Sequence, residues 1–384
     1  MEGTKYYVIA GEASGDMHAA NMMKALKKHD TKAYFRVWGG DRMAEEAQEL
    51  AKHIRETSFM GVFGVLAHLK TIKRNFRFCE SDIDNFLPDV LILIDNSGFN
   101  LRIAKYVKSK HPHIRIYYYI LPQAWAWRRK RVHTIHKYCD RVFATLPFEV
   151  EFYRNYGYSV DFVGHPIMDA MADKQDGLLS RAAFIEKNKL ADQPIIALLP
   201  GSRKREIKTK LPKMLQTVKH FPGKTFVIAG STAVDADLYQ AAAEYKVSVL
   251  FEQTYDLLKH AEAALVTSGT ATLETALFNV PQVVCYQPGF LTYHLMKRII
   301  SIRFICMVNI ILDREVVTEL IQSDLNEKRL TKELKKLFTE EKRKKIKEDY
   351  VLLKDKLGGT GASNRVAELM YKDISAIEKR TLKS

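Results

Sequence analysis

Short apolar segments alternate with longer stretches of helical period along most of the chain. The clearest strand candidates are Tyr6 to Ala10, Val90 to Ile94, Arg115 to Ile120, Arg141 to Ala144, Ile195 to Leu199, Thr225 to Ala229, Ala263 to Thr267 and Gln282 to Tyr286. Several, such as Val90 to Ile94, are apolar on both faces, as expected where helices cover both sides of a parallel sheet. Strand–helix alternation of this kind predicts a doubly wound α/β fold. The series restarts near residue 190, after the polar stretch Asp173-Lys174-Gln175-Asp176-Gly177. Two Rossmann-like domains are therefore expected, over 1–185 and 186–355, with a ligand in the cleft between them, because open α/β sheets bind at the carboxyl ends of their strands. From Asn326 onward the chain reads as charged helix, interrupted at Leu357-Gly358-Gly359-Thr360-Gly361. The glycines end one helix and let Ala362-Ser363 start a last one. That segment, 356–384, is expected to return to the first domain.

Composition narrows the class. A chain of 384 residues, 47% hydrophobic, can build two ordinary cores and is not globally disordered. Cys79, Cys139, Cys285 and Cys306 are scattered without a Cys-x-x-Cys pair, which points to a reducing compartment and away from a zinc or disulfide framework. The first strand begins without a basic-then-apolar signal pattern, and no run approaches the roughly 18 apolar residues of a spanning helix. The expected location is cytoplasmic, or at most attached to a surface. The formal charge of +15 asks for an anionic partner, either nucleic acid or an anionic membrane surface. Neither a zinc finger, an RNP motif nor a basic heptad region is present, which argues against nucleic acid. Part of the excess lies in Arg128-Arg129-Lys130-Arg131 and Lys342-Arg343-Lys344-Lys345; the second run has the pattern of a solvated helix face.

The richest chemistry lies in Ala263 to Glu274, where an apolar strand runs into Ser268-Gly269-Thr270 and a helix start. Backbone N–H groups at such a start favour an anion, and Gly269 has no Cβ to keep one away. Glu274 shares a helix face with Thr270 and could accept bonds from two ribose hydroxyls. The segment thus fits a nucleoside-diphosphate site, and it fits equally an ordinary capped helix behind a buried strand. Pro200-Gly201-Ser202-Arg203 occupies the same strand–loop–helix position in the second half, with Arg203 adding a fork-shaped cation suited to phosphate. Two helix starts and one cation could hold a leaving diphosphate without a metal. The Asp-x-Asp pairs Asp82/Asp84 and Asp235/Asp237 follow no cleft strand and read as helix-surface acids, so no metal and no cofactor are expected.

The first half offers two loops. Gly11-Glu12-Ala13-Ser14-Gly15-Asp16 follows the first strand but is neither Gly-x-Gly-x-x-Gly nor a Walker loop. Its two acids suit hydroxyl or sugar contacts, while Asp16 alone would serve as a helix cap. Asp95 directly follows a buried strand, where partial burial would raise its pKa and make it a good general base. An Asx-turn or N-cap is the commoner fate of such a residue. Phe59, Val62, Phe63, Leu66 and Leu69 align on one helical face, with Lys70, Lys73, Arg74 and Arg77 following at once. That combination fits an interfacial helix on anionic lipid, and equally a helix packed on the sheet. Phe290 to Ile305, with Lys297, Arg298 and Arg303, has the same character.

Taken together, these residues resemble the lipid-A-disaccharide synthase family of GT-B glycosyltransferases over nearly the whole chain. The likeness runs through Gly11-Glu12-Ala13-Ser14-Gly15-Asp16, Trp38-Gly39-Gly40, Phe59-Met60-Gly61, Asp95 to Asn100, Gln123 to Arg128, Leu146-Pro147-Phe148-Glu149 and Val163-Gly164-His165-Pro166. It continues in Leu199 to Arg203, Ser268 to Glu274, Asn309 and Gly361-Ala362-Ser363. The resemblance implies an inverting transfer from UDP-2,3-diacylglucosamine to 2,3-diacylglucosamine 1-phosphate (lipid X), on the cytoplasmic face of the inner membrane. It implies Asp95 as general base, and Gly201, Ser202, Arg203, Ser268, Gly269, Thr270, Ala271, Thr272, Glu274 and Asn309 at UDP-binding positions. Glu12, Ser14 and Asn100 fall on the acceptor side, and the 59–69 helix would receive acyl chains. A homodimer is an assembly open to such a chain. One departure stands out: the family's loop reads Asp-x-Pro-Asp-Phe-Asn, whereas this chain has Asp95-Asn96-Ser97-Gly98-Phe99-Asn100, which predicts a freer loop. The rival readings are a UDP-N-acetylglucosamine-using transferase or epimerase, and a non-catalytic nucleotide or nucleic-acid binder.

Overall fold

The computed structural model describes residues 3–56, 69–175, 177–289 and 303–381. Two compact units make up the chain, 1–170 with 357–384, and 171–356. The first boundary thus falls earlier than the expected 185. Phe184, on the helix Arg181–Asn188, is fully buried in the core of the second unit with Ile195 and Ala197, which draws this segment there.

Seven parallel strands form the sheet of the first unit: β1 (Lys5–Ala10), β2 (Tyr34–Gly39), β3 (Glu49–His53), β4 (Val90–Ile94), β5 (Arg115–Tyr119), β6 (Arg141–Ala144) and β7 (Asp161–Phe162), in the order β3-β2-β1-β4-β5-β6-β7. Tyr6, Val8 and Ala10 enter one core layer, and Tyr7 and Ile9 the other, which is why β1 is apolar at every such position. The strand order reverses between β1 and β4, whose last residues Ala10 and Ile94 are paired. Loops leaving these two ends therefore emerge side by side, at a topological switch point.

The second unit repeats the plan with six parallel strands, β8 (Ile195–Leu199), β9 (Thr225–Gly230), β10 (Ser248–Phe251), β11 (Ala261–Thr267), β12 (Gln282–Tyr286) and β13 (Thr318–Ile321), ordered β10-β9-β8-β11-β12-β13. Its switch point lies between β8 and β11, where Leu199 pairs with Val266.

The helix Ala362–Thr381 belongs to the first unit. It buries Val366, Ala367 and Met370 in the layer that holds Ala19, Met22 and Met23 of the helix Ala13–Leu26. Its start is fixed by Asp169, which accepts from the backbone N–H groups of Gly361 (2.5 Å) and Ser363 (2.8 Å). Arg365 donates to the carbonyls of Val163, Thr360 and Gly358 at 2.7–3.0 Å. Gly164 has φ +85°, and a Cβ there would lie 2.5 Å from an Arg365 nitrogen, so only glycine fits. The motif pieces Val163-Gly164 and Gly361-Ala362-Ser363, distant in sequence, meet at this seam.

The remaining candidates take structural roles. Asp82 bonds Arg36 and Tyr7, and Asp84 bonds Tyr106, Lys110 and His111. All four cysteines are free and buried. Among the described residues no helix is long and apolar enough to cross a membrane.

Candidate functional site

In the second unit the loops that leave β8, β9 and β11 surround a cavity of about 820 Å³. Gly201, Ser202 and Arg203 line it from one side, and Ser268, Gly269, Thr270 and Ala271 from the other. Behind each loop a helix begins, at Lys204 and at Thr270, so two sets of outward-facing N–H groups border the same space. Gly201 has φ +110°, and a Cβ on it would stand 2.3 Å from Glu206 Oε2. The tight turn that sets Arg203 at the rim therefore demands glycine. Arg203 is largely exposed and its Nη1 lies 3.5 Å from Glu206 Oε1, a loose pairing that leaves most of the guanidinium open. Among the described residues nothing lies within 4 Å of where a Cβ on Gly269 would stand, which leaves that backbone room for a ligand.

Glu274 forms part of the cavity wall, one turn into the helix Thr270–Leu277. Burial raises its pKa, against the lowering effect of the Tyr255 hydroxyl, which donates to Oε1 at 2.7 Å, and of the Lys174 charge. Lys174 itself stands 4.7 Å from the centre of the Tyr255 ring. The Lys174–Tyr255–Glu274 chain is thus a ready-made hydroxyl-binding edge. Lys174, Tyr255, Thr232 and Glu252 line the cavity without having been singled out from sequence. Thr232 and Glu252 follow β9 and β10, and β10 is a strand the hydrophobic pattern does not reveal.

Two candidates lie elsewhere. Thr272 is fully buried and its hydroxyl donates to the Gly269 carbonyl at 2.7 Å, bracing the loop from behind. Asn309 is also fully buried and is not among the cavity-lining residues. Its Nδ2 donates to the Val317 carbonyl (2.8 Å) and Glu319 Oε1 (2.9 Å), while Oδ1 accepts from the N–H groups of Val316 and Val317. Glu319 in turn accepts from the Ile305 and Cys306 backbones, and the Ile305 carbonyl takes the Ser268 hydroxyl at 3.3 Å. That relay links Asn309 to the cavity wall.

In the first unit the loops after β1 and β4 stand together. A Cβ on Gly11 would lie 2.2 Å from the Asn96 side-chain nitrogen. Asp95 and Asn96 have φ +47° and +38°, two consecutive non-glycine residues in the left-handed region. Backbone of that kind persists only where the surroundings hold it. They do: the Asp95 carbonyl accepts from Tyr118 Oη (2.5 Å) and Asn100 Nδ2 (2.8 Å), and the same amide bonds the Ile94 carbonyl at 3.0 Å. Asn100 is wholly buried. The expected freer loop is therefore pinned by Asn100 and Tyr118 without the family's proline. Asp95 is open to solvent at its rim, yet enough protein surrounds it that desolvation, helped by the Glu12 charge, raises its carboxyl to about 6. Glu12 and Ser14 are exposed, at the entry to the helix Ala13–Leu26. Asp16 does not cap that helix, which starts at Ala13; its buried carboxylate accepts instead from the backbones of Gly40, Arg42 and Met43.

Phe59, Val62, Phe63 and Leu66 lie outside the described residues, as does 290–302, and the helix is described from Leu69. On Leu69–Phe86, Lys70, Lys73, Arg74, Arg77 and Phe78 are exposed, while Phe76 is buried against the Phe99 ring at 4.6 Å.

Comparison with known proteins decides the family. A family model described as Lipid-A-disaccharide synthetase matches residues 6–372. The chain belongs to the lipid-A-disaccharide synthetase family. Among its relatives, the lipid-A-disaccharide synthase of Geobacter sulfurreducens is 36% identical over 94% of this chain and 95% of its own length. That of Myxococcus xanthus is 35% identical with the same coverage of both chains. Solved structures share the fold: the S. aureus MnaA–UDP complex has a TM-score of 0.68 at 14% identity, over 97% of each chain. UDP-GlcNAc 2-epimerase from Neisseria meningitidis, bound to UDP-GlcNAc, has a TM-score of 0.61 at 12% identity, over 96% of this chain and 100% of that one. Both units are accordingly GT-B-like α/β domains. As a lipid-A-disaccharide synthetase family member the chain is a hexosyltransferase of lipid A biosynthesis. Its reaction is the family's: 2,3-diacylglucosamine passes from UDP-2,3-diacylglucosamine to the C6 hydroxyl of 2,3-diacylglucosamine 1-phosphate.

Proposed function

We propose that the second unit's cavity holds the UDP of the donor and that Asp95 is the general base for the acceptor. The observation that carries the first half is the convergence of two helix starts and Arg203 on one space edged by Glu274. Gly201, Ser202, Arg203, Ser268, Gly269, Thr270 and Ala271 would take the diphosphate, and Glu274 the ribose hydroxyls. Thr272 and Asn309 act as positioning residues behind them. Asp95 removes the proton from the C6 hydroxyl as its oxygen attacks the anomeric carbon. The bond to the diphosphate breaks in the same step, so the linkage is β and UDP leaves. Fixed N–H dipoles and Arg203 stabilise the charge that builds on the departing oxygen. Glu12, Ser14 and Asn100 shape the acceptor side, Asn100 by holding the Asp95 backbone. An epimerase shares the fold, but the family match over residues 6–372 favours glycosyl transfer.

Product analysis by mass spectrometry tests the reaction directly. Purified protein given both lipid substrates in detergent with EDTA is expected to yield a tetraacyl disaccharide phosphate and free UDP. UDP binding without any disaccharide would remove the acceptor assignment.

We further place the protein on the cytoplasmic face of the inner membrane, reading the exposed Lys70, Lys73, Arg74, Arg77 and Phe78 as a surface for anionic lipid. Co-sedimentation with vesicles is expected to rise with anionic lipid and fall with salt. Binding indifferent to both would remove this surface.

A further inference from the structure

Trp127-Arg128-Arg129-Lys130-Arg131 follows β5 in the first unit and has no part in the roles assigned so far. Arg131 opens the helix Arg131–Tyr138, and its Nη1 donates to Ser97 Oγ at 2.5 Å. Its guanidinium therefore rests on the loop that carries Asp95. Arg128 is exposed and adopts φ +55°, a conformation an arginine rarely takes. The guanidinium of Arg128 lies 4.5 Å from the centre of the half-exposed Trp127 ring, and that of Arg131 lies 5.2 Å away. One indole thus gathers two cations. Among the described residues no carboxylate pairs with either, and Arg131 bonds the Ser97 hydroxyl instead. Burial lowers the Arg131 pKa and the Arg128 charge lowers it further, the signature of like charges held together.

Two neighbouring guanidinium groups without a counter-charge form a receptor for an anion with several oxygens, and their forks match phosphate. The acceptor carries one phosphate, on C1, at the opposite end of its sugar from the C6 hydroxyl that Asp95 would deprotonate. Ser97 is two residues past Asp95, so the guanidinium bonded to it sits on the same short loop as the proposed base. We propose that Arg128 and Arg131 bind the 1-phosphate of the acceptor and, by doing so, present its C6 hydroxyl to Asp95. The inference rests on Asp95 being the acceptor-side base. It makes the two arginines specificity-determining: they select a phosphorylated glucosamine lipid over the same lipid with a free 1-hydroxyl.

The test compares both acceptors in neutral detergent micelles free of anionic lipid, using the wild type, Arg128→Ala, Arg131→Lys and the Arg128→Ala/Arg131→Ala double variant. The wild type is expected to favour the phosphorylated acceptor by about 10- to 100-fold in kcat/KM. The double variant loses a similar factor with that acceptor, mainly through KM, and changes little with the 1-hydroxyl analogue. Arg131→Lys keeps a charge without the fork and falls between. Equal losses on both acceptors would overturn the proposal, because they would mean the arginines only support the loop. No loss in these micelles, with a loss appearing only when the same comparison is repeated on anionic vesicles, would overturn it in favour of the membrane surface. Unchanged turnover of Asp95→Asn in the same assay would instead remove the Asp95 reading on which the inference rests.

Discussion

Asp95→Asn is expected to lower kcat by ~10²–10⁴-fold, the usual contribution of a general base, while UDP affinity stays near that of the wild type. Asparagine keeps the shape of the side chain and can sit in the same left-handed backbone, but it cannot take a proton from the C6 hydroxyl. Calorimetry for UDP and single-turnover kinetics for transfer separate the two effects. Unchanged turnover would remove Asp95 from its role. The pH profile makes the same point without a mutation. Because the base works only when ionised and burial raises its carboxyl to about 6, kcat/KM should climb as pH rises toward 6 and level off above it. Glu12 contributes to that elevation through its charge, so Glu12→Gln should move the acid limb to lower pH.

Glu274→Ala is the second large effect. It removes a carboxylate that the Tyr255 hydroxyl holds in place at 2.7 Å, on the wall of the second unit's cavity. UDP affinity should fall by roughly 1–3 kcal/mol, the scale of a lost charged hydrogen bond. Tyr255→Phe leaves the carboxylate but frees it, and should cost less. Equal affinity of the wild type and Glu274→Ala in calorimetry would sink the ribose assignment.

The parts of this architecture visible in the sequence are those where physics leaves few options. Strands buried on both faces, such as β4 and β8, are continuous apolar runs and stand out. The ones the pattern does not reveal are short or lie toward the margins of their sheets: β2, β3, β7, β10 and β13. Glu49-Leu50-Ala51-Lys52-His53 and Thr318-Glu319-Leu320-Ile321 are only half covered, so polar residues interrupt them. The candidate site follows the same logic. Gly201, Arg203, Gly269 and Glu274 sit on strand–loop–helix junctions, which local sequence can identify. Lys174 and Tyr255 reach the cavity from segments whose placement depends on tertiary packing. The purpose of Asn309 was equally hidden, because only the fold brings it to Val316, Val317 and Glu319. In the Asp95 loop, sequence comparison registered a lost proline but not the Tyr118 hydroxyl that helps hold the strained backbone.

The return of the helix Ala362–Thr381 to the first unit has a consequence for the protein's birth on the ribosome. One layer of the amino-terminal sheet, around Ala19, Met22 and Met23, stays uncovered until Val366, Ala367 and Met370 emerge. All of 171–356 must be made first, a wait of roughly 10–40 s at ~5–20 residues per second. The unit encoded second can therefore close its core first, while the unit encoded first is held open, its apolar face available to chaperones until the last helix arrives.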